Sequence, residues 1–151
     1  RHGTSAVGDG TSAVGDGTSV ASFMKRAGAK VLAPPPGGWS VPSGRSFYLQ
    51  ASCRPYASTI RSGARAWAGM TESSSGTPVE CRNGFINDCG GGSRIVGCNW
   101  GQGQRIALYM GGVRDGALLA AHEFGHDWYG HSGYQCATWN SPQEVMAPTM
   151  C

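Results

Sequence analysis

His122-Glu123-Phe124-Gly125-His126 places two imidazoles and a carboxylate within five residues. On a helix, positions i and i+4 share a face one turn apart. Both rings can then reach a single ion at the usual Zn–N distance of about 2.0–2.1 Å. Glu123 projects from the same turn, where a carboxylate can polarise a water beside the metal. His131 follows, so three of the chain's four histidines fall within ten residues. Catalytic zinc keeps three protein ligands and one open position, and His131 is the natural third ligand. A straight helix would carry it around the axis. The chain must therefore turn after His126, and Gly130 supplies a residue able to take a positive φ. The ordinary alternative is a pair of surface histidines on a plain helix. The apolar run Ala117 to Ala121 and the third histidine argue against it.

A helix that aims these side chains needs a firm start and a buried flank. Asp115 can cap it, with the helix beginning at Gly116. Upstream, Ser46 to Ser52 reads as a strand from its aromatic and branched content. Pro55 opens a helical stretch running to Met70, in which Ile60, Ala64 and Trp67 recur at helical spacing and face a core. Residues 71 to 76 read as a loop. Pro78 to Arg82, Ser93 to Trp100 and Gln104 to Met110 read as strands, separated by turn signals at Asn83-Gly84 and the glycine run 90 to 92. Met24 to Ala33 is a short helix or strand. After Gly130 the chain reads as irregular. The order of strand, helix, strands, helix and loop is that of an α+β domain.

Ala120-Ala121-His122-Glu123-Phe124-Gly125-His126, with Gly130-His131-Ser132 behind it, resembles the metzincin zinc peptidases. The local wording is closest to the matrixins. Val145-Met146-Ala147-Pro148 is similar to the Met-turn of that family, with Met146 beneath the metal. The small size, Cys136 and Cys151 around that turn, and the strand RIALYM are similar to the snapalysin type of small secreted peptidase. Two departures stand out. Tyr129 occupies the family's glycine position, and His131 comes one residue early, so the connecting turn must be a residue shorter. Asp127, the one aspartate near the snapalysin third-ligand position, directly follows His126 and should point away from the metal.

The resemblance implies a small metzincin-like domain: a twisted mixed sheet with a backing helix and an active-site helix, stapled by disulfides. It implies a zinc ion on His122, His126 and His131, with Glu123 as the general base of peptide hydrolysis. It implies that Gln104 to Met110 forms an edge strand above the cleft, where an extended peptide adds by backbone hydrogen bonds. Tyr129 and Tyr134 are candidate substrate contacts. The short loop around Met146 predicts that Cys136 pairs with Cys151. Pairing among Cys53, Cys81, Cys89 and Cys98 stays open.

Composition bounds the rest. The chain has 151 residues and a formal net charge of +3, with no block of like charge. That argues against nucleic-acid and membrane-surface partners, and no apolar run is long enough to span a bilayer. Six cysteines without a C-x-x-C pair predict three disulfides and an oxidising, extracellular compartment. Residues 3 to 20 repeat the unit GTSAVGD twice and then begin it again. That repeat has no large apolar residue, and residues 1 to 38 are expected to form a flexible glycine-rich tail and linker, and 39 to 151 the zinc peptidase domain. The alternating Thr-Ser-Ala-Val would also suit a strand added at the domain edge. The sequence therefore predicts a monomeric secreted zinc endopeptidase acting on proteins or peptides. Two other readings compete: a catalytically impaired metzincin-like binding module, and a disulfide-rich structural or assembly protein. Glu123 argues against the first and HEFGH against the second.

Overall fold

The structure, a computed structural model, describes residues 12–15, 34–90 and 92–151. Six strands form one mixed sheet. They are β1 (Ser12–Gly15), β2 (Arg45–Leu49), β3 (Met70–Glu72), β4 (Thr77–Cys81), β5 (Ile95–Trp100) and β6 (Arg105–Leu108). Their spatial order is β1-β5-β6-β4-β2-β3. β2, β3, β4 and β6 run parallel, and β5 is antiparallel to both its neighbours. Among the described residues three helices accompany the sheet: α1 (Ala57–Ala64), α2 (Gly116–Gly125) and the short α3 (Pro142–Val145). The fold is thus α+β, as the element order predicts. Among the described residues no helix is long and apolar enough to cross a membrane.

One sheet face packs on α1 and α2. Ile60, Trp67, Val96, Leu119 and Phe124 are buried there, and Phe47 stacks on Phe124 at 4.8 Å. The other face carries a smaller cluster of Ala13, Ile86, Cys89, Ile95, Cys98 and Ala107. Glycine is a poor residue for a helix interior, yet Gly63 sits inside α1. A Cβ there would lie 2.3 Å from the Ala117 carbonyl oxygen and 2.9 Å from Ala120 Cβ. Close approach of the two helices decides the residue against its local propensity. Trp67 then locks the pair, donating from Nε1 to the Ala121 carbonyl at 2.8 Å.

Three disulfides staple the domain: Cys53–Cys81, Cys89–Cys98 and the expected Cys136–Cys151. The last closes a loop of 15 residues around Met146, worth about 3 kcal/mol in the chain-entropy picture. Three bridges and no free cysteine suit an oxidising, extracellular setting.

Several expectations are corrected. The helix expected from Pro55 to Met70 is split. Pro55 lies in a 3-10 turn, Ala51–Tyr56, and α1 ends at Ala64. Residues 71 to 76 are not all loop, because Met70–Glu72 pair with β2 as β3. α3, capped by Ser141, interrupts the stretch read as irregular after Gly130. The strand at Gln104 to Met110 is not an edge. As β6 it lies between β5 and β4, since its buried Ile106, Ala107 and Leu108 are covered on both faces. The outer strand of that half is β5, and it is covered in turn by β1. Residues 12 to 15 are therefore not a flexible tail. They fill the unpaired edge of β5, which small alternating side chains can do. Met24 to Ala33 lies outside the described residues.

Candidate metal centre

α2 starts where expected. The Asp115 carboxylate accepts from Leu118 N at 3.0 Å and, through its other oxygen, from Trp139 Nε1 at 2.7 Å. Every residue from Leu118 to Gly125 is buried, which fixes the rotation of the helix and so the direction of its histidines. At its C-terminal end the Trp128 and Tyr129 amides both bond back to Gly125 O, turning the chain at once. Gly130 does not take a positive φ. The reversal is made by these turn bonds, and by Ser132 N donating to Met146 O at 2.9 Å.

The reversal brings His122, His126 and His131 together, with ligand atoms within 4.8 Å of one another. Their ring centroids lie 4.6 to 5.4 Å apart. His122 Nδ1 faces the Val145 carbonyl at 2.7 Å, and His126 Nδ1 faces the Tyr129 carbonyl at 2.8 Å. Carbonyls only accept, so both Nδ1 atoms carry the proton and both Nε2 atoms present lone pairs. Those two Nε2 atoms stand 3.0 Å apart. Two neutral acceptors at that separation repel, and protonating one is opposed by burial. Burial pushes His122 down to about 3, with the neighbouring His131 adding to the effect. It holds His126 well below the usual imidazole range and lowers His131. His131 Nε2 is buried without a hydrogen-bond partner. Three neutral, converging, unpartnered imidazole nitrogens form a donor set that fits a metal ion of the zinc type.

Glu123 is fully buried and neither carboxylate oxygen has a partner. Burial, with Asp127 adding repulsion, pushes its carboxyl well above the usual range. It lies against β5, where a Cβ on Gly97 would come 2.6 Å from Glu123 Oε2 and 2.8 Å from Leu119 Cδ1. Asp127 is directed to the sheet, as expected, and stands outside the histidine cluster. Its Oδ1 accepts from Asn99 Nδ2 at 2.9 Å, and burial raises it to about 6. Met146 is buried below the end of α2, its sulfur close to where a Cβ on Gly125 would sit. Tyr129 contributes its backbone carbonyl to His126 and its ring to Trp67 at 6.0 Å. Tyr134 is half exposed, its amide bonded to Ser132 Oγ.

Sequence reasoning missed Asn99. It is buried in β5, donates to Glu123 O and Asp127 Oδ1, and accepts from Gly103 N. A lone amide within an otherwise buried strand was the available signal. The carbonyls of Val145 and Tyr129 carry no signal of side-chain type. No family model, curated protein or solved structure matches this chain.

Proposed function

We propose that this protein is a secreted zinc-dependent endopeptidase, with His122, His126 and His131 holding the metal. The observation that carries the reading is the pair of proton-free Nε2 atoms at 3.0 Å, with the buried, unpartnered Glu123 carboxylate one residue from His122. Zinc on three imidazoles, when bound, polarises a carbonyl and lowers the pKa of its water to about 7. Glu123 does the proton work. A carboxylate in a dry pocket is more basic than one in water. It takes the proton of the attacking water as the C–O bond forms, then delivers it to the leaving amine as the C–N bond breaks. Asn99 is a positioning residue, tying the Glu123 carbonyl and Asp127 to β5. Gly97 leaves room for the carboxylate. Three disulfides support secretion, and Met146 beneath α2 supports the metzincin resemblance.

The experiment has two arms. Elemental analysis should find one zinc per chain, removed by chelator and abolished by His126→Ala. Glu123→Gln should retain zinc and the fold while casein hydrolysis falls at least about 10²–10⁴-fold, the usual contribution of a positioned acid–base. Absence of stoichiometric zinc defeats the metal assignment. A Gln variant with near wild-type turnover defeats the role of Glu123. Zinc without hydrolysis in the parent chain would favour the binding-module reading.

A further inference from the structure

β1 lies in a slot one strand wide. On one side it pairs antiparallel with β5: Ser12 opposite Asn99, Ala13 opposite Cys98 and Val14 opposite Gly97. On the other it runs parallel to the segment after Met146. Gly15 N donates to Pro148 O at 3.2 Å, and Met150 N donates to Gly15 O at 3.1 Å. Extended peptides add to sheet edges in this way, with main-chain bonds for affinity and alternate side chains for selection. Val14, fully buried, joins the cluster on the helix side, while Ala13 turns to the opposite face. The strand also passes the candidate chemistry. Gly97, the residue opposite Val14, is the one against which Glu123 lies, and the Ala13 backbone hydrogen-bonds His131.

The occupant is unusual for a structural strand. It is four residues long, with one branched side chain. It belongs to a unit, GTSAVGD, that occurs at 3 to 9 and again at 10 to 16. A shift of seven residues therefore offers the slot the same side chains. A core strand needs one register, whereas a repeated peptide tolerates several.

We infer that the slot between β5 and residues 148 to 150 is the peptide groove of the proposed enzyme, and that the chain's own repeat occupies it in competition with substrate. The inference rests on the peptidase reading and adds to it a regulation and a ligand class. The ligand is an extended peptide of small residues with a branched aliphatic side chain in the place of Val14. Tethering gives the repeat a millimolar-scale effective concentration, so peptide enters in proportion to the fraction of time the repeat is out.

The test uses the full chain. Val7→Asp with Val14→Asp introduces a charge at the buried position in both copies. Gly8→Pro with Gly15→Pro instead removes the N–H that Pro148 accepts, and buries no charge. Each pair is made with Glu123 intact for turnover and with Glu123→Gln for binding. The probe is the synthetic heptapeptide GTSAVGD, titrated by calorimetry. Amide exchange is followed at Gly97 and Asn99. These face β1, because Tyr109 N bonds Val96 O on the β6 side and strand amides alternate.

Displaced variants should exchange faster at both amides, and the heptapeptide should restore protection. Its apparent affinity should rise roughly tenfold over the parent if the groove is closed nine-tenths of the time, and turnover of a small-residue substrate should rise in step. Variants that melt lower yet gain neither peptide binding nor turnover would mark β1 as an ordinary structural strand and overturn the inference. If the aspartates unfold the domain, the proline pair decides by the same readings. Peptide binding gained without zinc or turnover in any variant would keep the groove and reject the peptidase instead.

Discussion

Gly63→Ala should destabilise the domain, although the same change in an exposed helix stabilises it. The added Cβ would meet Ala117 O at 2.3 Å, Ala120 Cβ at 2.9 Å and Ala121 N at 3.0 Å. Ordinary contact begins near 3.4 Å, so α1 and α2 must separate by roughly 1 Å or twist apart. Two of the three atoms are backbone and cannot rotate away. Overpacking of this kind costs about 1–3 kcal/mol, and the gain in helix propensity returns about 0.5–1. A net loss near 1–2 kcal/mol, at about 2.1 cal/mol/K of unfolding entropy per residue, lowers the midpoint by about 3–6 °C for this chain. The displaced helix carries His122 and His126, so zinc affinity should fall with it. Calorimetry and a competitive zinc titration measure the two effects. Gly84→Ala, where an added Cβ meets nothing within 4 Å, is the control. A Gly63→Ala protein as stable as that control, or more so, would refute the close helix contact and the placing of α2.

Asp115→Ala should cost more than the roughly 1 kcal/mol of a lost cap, because it also strands the buried Trp139 Nε1. About 2–4 kcal/mol by urea unfolding is expected, and a loss below half a kcal/mol would reject the double role. Asp88→Asn should weaken the fold at neutral pH by less than about 1 kcal/mol, since its pairing with Arg82 at 2.6 Å is largely exposed. The hydrogen bond from Arg82 holds the Asp88 carboxyl below its usual value. Its contribution is therefore present above the unfolded pKa and lost as pH falls through the folded one. The variant and parent should thus converge in acid, and a gap that widens below pH 4 would contradict the pairing.

How far the site could be read beforehand follows from how local each feature is. The capped helix and its i, i+4 histidines depend on one continuous stretch, from Asp115 to His126, so Asp115, His122, Glu123 and His126 were legible. His131 was legible as the third member of the histidine cluster, but the means of reaching it was not. Turn bonds to Gly125 O replace the left-handed glycine expected at position 130. Strand order was the weakest part. β5 and β6 are both short apolar runs, and nothing in either composition says which is outermost. Ser12–Gly15 reads first as tail and only second as an edge strand, because alanine and valine between glycines bury too little surface to order alone. They become a strand only where two backbone edges are already waiting. Asn99 was hidden because its partners, Glu123 and Asp127, are remote in sequence.

The segment from Ser132 to Cys151 grips α2 at both ends. Trp139 holds the Asp115 cap, Val145 O orients His122, and Met146 O anchors the chain beyond His131. In a growing polypeptide this has a consequence in time. The helix and its two histidines are synthesised first, but the groups that aim them arrive some twenty residues later, and the bridge that secures those groups needs Cys151 itself. A nascent chain would carry the helix histidines without the groups that aim them. Translation and oxidation of this later segment would therefore date the moment at which the histidine cluster is fixed in place.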